Sequence, residues 1–150
     1  MSTLHANQFL QVFQNRRERC RKLLELSRRQ KELIDQGNYT RLLTVLGHKQ
    51  RILTEMDDFS EQTPDLWSSW RRHRETLSGG VRDDCNHVLA ETEALLAELV
   101  KEETDSTDAL TERRDATRVS LKSISDGSQV HNAYRDNLAP ATHRHLNIDR

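Results

Sequence analysis

The sequence contains few of the residues that interrupt helices or favour sheets. Among its 150 residues there are five glycines and two prolines, and aromatic residues make up only 5%. Runs of β-branched residues are rare, whereas leucine, arginine, glutamate, glutamine and alanine are frequent. Because the frequent residues are those that favour helices, the composition argues against a sheet-rich fold and predicts an all-α protein of one modest domain.

Long apolar segments are also missing. Hydrophobic residues make up 34% of the chain and charged residues 31%. No apolar run approaches the roughly 20 residues that a membrane-spanning helix needs. The opening "MSTLHANQFLQVFQNRRERC" lacks the basic and then apolar regions of a secretory signal. We therefore expect a cytoplasmic protein without membrane insertion, whose low apolar content suits a thin, elongated bundle.

Cysteine is scarce as well. The two cysteines, Cys20 and Cys85, lie far apart and form no C-x-x-C motif. Each falls where a helix would place its apolar seam, so a reduced, buried thiol is favoured over a disulfide or a redox role.

The first half of the chain predicts a helical hairpin. Apolar residues at helical spacing predict one helix over residues 4–36 and a second over residues 39–56. Gly37 suits the left-handed position after a helix, and Asn38 suits the N-cap of the next one. Because this hinge is short, the helices should pack antiparallel. The second helix is expected to bury a 4-3-4-3 seam: Leu42, Leu46, Lys49, Leu53 and Met56.

The second half predicts a short helix followed by a long one. The segment "DDFSEQTPDL" breaks the pattern, and Thr63 with Pro64 suits the start of a short helix that ends near Leu77. After Ser78-Gly79-Gly80, residues 81–124 contain no glycine or proline and form the long helix. Asp126-Gly127 is expected to end it. The expected architecture is an elongated antiparallel bundle or coiled coil of three to four helices over residues 1–127, with a flexible tail over residues 128–150.

Two segments carry opposite charge although the whole chain is nearly neutral. Residues 16–31 hold eight basic and two acidic residues, a net charge of +6, and residues 91–108 hold seven acidic residues and one lysine, a net charge of −6. A turn at Gly79-Gly80 would send the long helix back along the first helix, antiparallel to it, and place the two segments side by side. This complementarity favours the turn over a continuous helix.

The chain shows no catalytic or cofactor-binding motif. No glycine-rich phosphate loop is present, and no nucleophile, base and orienting group can be assembled from sequence neighbours. His143 and His145 form a weak metal pattern without a nearby cysteine or acid. Cys85 and His87 should face different ways on a helix. We therefore expect neither enzyme activity nor a cofactor or metal.

Two other features have alternative interpretations. Trp67 and Trp70 lie three residues apart and are expected to close one end of the bundle, although an exposed anchor for a partner is the alternative. The arginine-rich stretch "RRERCRKLLELSRR" could contact phosphates. It lacks interleaved aromatic residues, however, and the acidic segment offers an internal partner, so nucleic-acid binding is the weaker interpretation.

Residues 23–56 contain a helix ending in "LLELSRRQKELI", the hinge "DQGNYTRLLTVL" and the following "KQRIL". These segments resemble the FlgN-like flagellar export chaperones. The long later helix agrees in kind, and "NAYRDNLAP" loosely resembles the aromatic-bearing C-terminal segment of that family. The usual acidic residue after the hinge glycine is replaced by Asn38, and the long helix carries no clear family signature.

This resemblance implies a cytoplasmic, non-enzymatic type III export chaperone. Such proteins bind the helical terminal segments of hook-filament junction subunits, prevent their premature association and deliver them to the export gate. In this chain a client helix could complete the thin apolar side of the long helix. The expected partner-binding residues are Leu95, Leu96, Leu99, Val100 and Leu110 for the client and Tyr134 for the export gate.

Each of these assignments has an alternative. Leu95 and Leu99 could instead be bundle core, and Tyr134 could be an incidental aromatic residue in the tail. A coiled-coil scaffold or homo-oligomer, in which the long helix pairs with its own copy, is the alternative to a chaperone.

Overall fold

The described part of the chain is helical. The computed structural model describes the backbone of residues 6–138 and the side chains of residues 8–127. Four α-helices follow one another, namely α1 (Ala6–Gln36), α2 (Tyr39–Gln62), α3 (Leu66–His73) and α4 (Gly79–Leu138), with a 3-10 turn (Arg74–Thr76) between the last two. No strand occurs within residues 6–138. The prediction of an all-α fold is confirmed.

The hinge between α1 and α2 has the predicted conformation. Gly37 adopts a φ of 70°, which costs glycine little because it has no Cβ. The amide of Gly37 donates to Ile34 O at 3.0 Å and that of Asn38 to Leu33 O at 2.9 Å. This pair of bonds is the Schellman motif that satisfies the last carbonyls of a helix. The side chain of Asn38 then accepts a bond from the amide of Arg41 at 3.3 Å and caps α2.

Helix α2 is longer than the sequence suggested. Its buried seam follows Leu42, Val45 and Lys49, and the half-buried Ile52, Met56 and Phe59 continue it. The predicted break at "DDFSEQ" is therefore wrong, because Phe59 gives this segment an apolar anchor while its acidic residues lie in solvent. The predicted seam was also partly wrong, since Leu46 and Leu53 are exposed.

The connection from α2 to α4 differs from the prediction in its caps. The hydroxyl of Thr63 donates to Phe59 O at 2.8 Å, so Thr63 closes α2. The N-cap of α3 is Asp65, not Thr63. Ser78 precedes α4, and its side chain accepts a bond from the Val81 amide at 3.4 Å. The chain therefore turns at Leu77 and Ser78, and the two glycines that were expected to form the turn already belong to the first turn of α4.

Two apolar clusters form the core of residues 1–109, which make up the first of two compact units. The first cluster joins α1, α3 and α4 through buried Phe9, Phe13, Leu66, Trp70, Cys85 and Val88. The second cluster lies at the hinge end and consists of Leu33, Ile34, Leu42 and Val45. Both cysteines are buried and free, as predicted.

Helices α1 and α4 run parallel, contrary to the antiparallel prediction. Arg17 pairs with Glu91, and Arg28 further along α1 pairs with residues further along α4, namely Glu98 and Glu102. The chain does turn before α4, and the two charged segments lie side by side, as predicted. The chain runs in the same direction through both segments, however, and not in opposite directions. The reason is that α2 already returns the chain to the end where α1 begins. The eight residues of α3 are too few to carry it back.

The second compact unit covers residues 110–150. Its described part is the end of α4, which continues through Gly127 to Leu138. The prediction that the helix ends at Asp126-Gly127 is therefore wrong, because a single glycine costs only about 1 kcal/mol in a helix interior. Residues 139–150 lie outside the described part of the chain. The predicted division into residues 1–127 and a flexible tail stays a prediction.

Candidate protein-binding surfaces

Most of the basic stretch on α1 is paired with carboxylates. Arg28 Nη2 lies 2.9 Å from Glu98 Oε2, and Arg21 Nη2 lies 3.2 Å from Glu91 Oε2. Arg17 shares the carboxylate of Glu91 at 3.4 Å. These pairs are part-exposed, so each contributes at most about 1 kcal/mol. They occupy the charges that a nucleic acid would need, which weakens that interpretation.

A buried polar layer joins α1, α2 and α4. Lys49 of α2 is only 8% exposed, and its ammonium group donates to Gln30 Oε1 of α1 at 2.6 Å and to Glu103 of α4. Ser27 Oγ donates to the same Glu103 oxygen at 2.5 Å. A polar layer of this kind fixes the register of packed helices because any slip would leave a buried charge unpaired.

The polar layer also changes the pKa of Glu103. Partial burial alone would raise the pKa of this carboxyl. Hydrogen bonds from Lys49 and Ser27 and the charge of Lys49 lower it by more, so the pKa lies below its ordinary value of 4.5. Glu103 is therefore a carboxylate at neutral pH and a structural partner. Lys49 and the Ser27 hydroxyl both donate to this carboxylate, so the layer is an ion pair supported by a hydrogen bond.

Among the described side chains, the cysteines and histidines do not form a reactive centre. Burial raises the pKa of Cys20 and of Cys85, which keeps both thiols protonated at neutral pH. His87 is exposed and lies 2.7 Å from Glu91, so it faces away from Cys85, as predicted. No group of three metal-ligating side chains occurs among the described residues. His143 and His145 lie outside them.

The predicted client-binding residues on α4 within the first unit form a part-covered apolar surface. Leu95, Leu96 and Leu99 are half-buried, whereas Val100 is 65% exposed. A shallow depression of about 430 Å³ lies beside them. Its lining consists of Leu99, Val100, Glu103, Thr104, Thr107 and Asp108. The three leucines are thus only part-covered, and an open edge remains at Val100.

In the second unit, α4 exposes further apolar side chains. Leu110 is 39% exposed. Val119, Leu121 and Ile124 are each more than 60% exposed. Leu110, Leu121 and Ile124 follow heptad-like spacing along one side of the helix. Tyr134 lies within α4, but its side chain is outside the described part.

An exposed apolar stripe on α2 was missed from the sequence. It consists of Tyr39, Leu43, Leu46 and Leu53, which are between 39% and 70% exposed. Their 4-3-7 spacing places them on one side of the helix. The sequence does contain a sign of this stripe, because Leu42, Val45 and Lys49 form a second helical seam that overlaps it. Only one of the two seams can face α1.

The two tryptophans have different environments. Trp70 is 4% exposed and its ring lies 5.2 Å from that of Phe13, edge-on. Trp67 is 43% exposed, and its ring stacks on that of Phe13 with the centroids 5.6 Å apart. Trp70 is therefore part of the core, in agreement with the prediction, whereas Trp67 is only part-buried.

The described residues thus form an all-helical protein that exposes apolar side chains on α2 and α4. Its buried polar groups stabilise the packing of the helices. None of the helices among residues 6–138 combines the length and apolar character needed to cross a membrane. A family model described as FlgN protein matches residues 1–140. The chain therefore belongs to the FlgN family, a family of flagellar export chaperones. No curated protein and no solved structure matches it.

Proposed function

We propose that this protein is a cytoplasmic, non-enzymatic chaperone for hook-filament junction subunits. It binds their helical terminal segment, prevents premature association and delivers them to the type III export gate. Membership of the FlgN family supports the role in flagellar export. Localisation to the cytoplasm follows from the same role, because clients meet such a chaperone before export.

The observation that carries the client-binding proposal is the open edge on α4. Val100 is 65% exposed, and the half-buried Leu96 lies one turn before it on the same side of the helix. An amphipathic client helix can cover this edge and complete the burial of Leu96 and Leu99. Because the client must leave again for export, we expect affinity near micromolar.

Substitution on α4 tests this proposal. Val100→Asp should weaken binding of a synthetic terminal-helix peptide from a hook-filament junction protein by at least tenfold, measured by calorimetry. Unfolding by urea should change little, because Val100 is largely in solvent. Ala94→Asp is the matched control, since Ala94 is exposed on the same helix but about 120° around its axis. Equal affinity of the two variants would contradict the proposal.

Leu110 and Tyr134 are proposed contacts of the second unit. Leu110→Asp should weaken client binding while leaving the melting temperature nearly intact, and a large loss of stability would instead identify Leu110 as core. Tyr134→Ala should spare client binding and impair delivery to the export gate, measured as secretion of the client.

A homo-oligomeric scaffold is the second candidate, and the stripe on α2 favours it. Tyr39, Leu43, Leu46 and Leu53 could cover the same stripe of a second copy. Sedimentation separates the two functions. A stable dimer that refuses the client peptide favours the scaffold, and a monomer that binds the peptide favours the chaperone.

A further inference from the structure

A small pocket lies between α1, α2 and α3, away from the α4 surface discussed above. Its volume is about 170 Å³. An apolar cavity of about 150 Å³ holds a molecule the size of benzene, whereas pockets for drug-sized ligands begin near 300 Å³. The pocket therefore fits one bulky apolar side chain. Its apolar lining consists of Val12, Met56, Phe59, Leu66 and Trp67.

The aromatic wall of the pocket is held in place. Trp67 stacks on Phe13 with an interplanar angle of 16°, and Phe13 is itself fully buried in the core. Trp67 as a residue is nevertheless 43% exposed. A rigid aromatic surface that is open to solvent is a common anchor point in protein recognition, because covering it costs little side-chain entropy.

The charges around the pocket are positive. The charged residues of its lining are Arg16 and Arg19, and no carboxylate belongs to that lining. The Arg16 guanidinium lies 5.3 Å from the ring centroid of Trp67, a cation–π contact that orients it at the rim. Within the described side chains, no ion pair joins Arg16 to a carboxylate. Arg19 has one long contact, 3.6 Å to Glu55, and both groups are well exposed.

An open groove continues from the pocket along α1 and α2. The groove has a volume of about 600 Å³ and shares Asn15 and Arg19 with the pocket. Its lining combines the apolar Leu26 and Ile52 with three basic and three acidic residues, namely Arg19, Lys22, Arg51, Glu18, Glu25 and Glu55. A helix whose side chain fills the pocket would therefore find a surface for its next turns.

We propose that this pocket is a second protein-docking site, which takes one bulky apolar side chain of an acidic partner helix. The carboxylates that flank the inserted side chain pair with Arg16 and Arg19. Charge complementarity selects this occupant, because two guanidinium groups rim the pocket without an acidic residue in its lining. The docking site does not rest on the client surface of α4, since α1, α2 and α3 form it.

The test uses the full chain and three alanine-based helical peptides. The first carries a central leucine with glutamates one turn before and after it, the second replaces the glutamates by glutamine, and the third replaces the leucine by alanine. The first peptide should bind saturably and shift the tryptophan fluorescence to shorter wavelength, because Trp70 is already buried and only Trp67 can lose water. The other two should bind at least fivefold more weakly.

Protein variants complete the test. Arg16→Gln should weaken the first peptide about fivefold, as expected for an exposed ion pair of about 1 kcal/mol, and added salt should reduce this difference. Ser60→Leu should block binding, since Ser60 lines the pocket and is exposed. Arg41→Gln is the control for charge and Thr54→Leu the control for an added leucine on α2, and neither should change affinity.

Several outcomes would overturn the proposal. These are no saturable binding of the glutamate peptide, equal binding of the glutamine peptide, or unchanged affinity of the Ser60→Leu variant. Sedimentation of the unliganded protein tests whether a second copy of the chain fills the pocket instead. A dimer that dissociates in the Ser60→Leu variant would show that a second copy fills the pocket, and a monomer agrees with the proposal.

Discussion

The ammonium group of Lys49 on α2 and the carboxylate of Glu103 on α4 form an ion pair within a buried polar layer. The side chain of Lys49 is 10% exposed and that of Glu103 is 40% exposed. The charge of Lys49 therefore needs its partner more than the charge of Glu103 does, because water can solvate the carboxylate but hardly reaches the ammonium group.

This asymmetry predicts the effect of removing Glu103 alone or together with Lys49. Glu103→Ala should lower the free energy of unfolding by about 3 kcal/mol, since it leaves a buried ammonium group uncompensated. The double variant Lys49→Met/Glu103→Leu should recover most of that loss, because it removes both charges and keeps the volume. Urea denaturation of the two variants provides the measurement. A double variant that is less stable than Glu103→Ala would contradict this account.

The same carboxylate predicts a dependence of stability on acid pH. The pKa of Glu103 in the folded protein lies below its ordinary value of 4.5, so the folded state favours the ionised form. Its stabilising contribution is complete above about pH 4.5 and is lost as the pH falls through the lowered pKa. Glu103→Gln should therefore flatten the loss of stability below pH 4.5 in urea denaturation. Glu93→Gln, at an exposed position of α4, is the control and should keep the wild-type slope.

Ser106 predicts a stabilising substitution. Its side chain is 0% exposed, and its hydroxyl has no hydrogen-bond partner among the described residues. Ser106→Ala should raise the free energy of unfolding by about 1 kcal/mol, because the unpaired buried hydroxyl is removed. The exposed Ser60→Ala on α2 reports the helix preference of alanine alone. If Ser106→Ala gains no more than this control, the Ser106 hydroxyl is satisfied in solution.

The parallel pairing of α1 and α4 predicts a charge-swap result. Arg28→Glu should lower the free energy of unfolding by about 1 kcal/mol, because Arg28 contacts both Glu98 and Glu102. Adding Glu98→Arg should restore part of this loss. Both effects should shrink in high salt. Thermal melts of the four proteins in the mutant cycle give the coupling energy, and a value near zero at low salt would contradict this prediction.

The hairpin was predictable because its signals are local. Gly37 and Asn38 specify a helix end and a helix start in adjacent positions, and no other part of the chain is needed to interpret them. The contact between the two charged segments was predictable for a similar reason, since net charges of opposite sign are visible in the sequence. The relative direction of α1 and α4 was not predictable, because it depends on whether the elements between α2 and α4 are long enough to carry the chain back.

Other features required the assembled structure. Two overlapping seams on α2 look alike as sequence, and only packing against α1 decides that Val45 is buried while Leu46 is exposed. Thr63 and Asp65 both favour helix starts, and the outcome depends on Phe59 extending α2. The pocket beside Trp67 combines residues of three helices that are far apart in the chain, so no spacing pattern could have revealed it.

The two-residue hinge at Gly37 and Asn38 has a consequence for the order of folding. Helices α1 and α2 are neighbours in sequence, so their contacts form with a small loss of loop entropy, whereas α4 closes a much longer loop onto α1. We therefore expect the hairpin to be part of the folding nucleus and α4 to dock afterwards. Higher φ-values for Leu33→Ala than for Val88→Ala would show this sequence of events. On the ribosome, the hairpin could then form while α4 is still being synthesised.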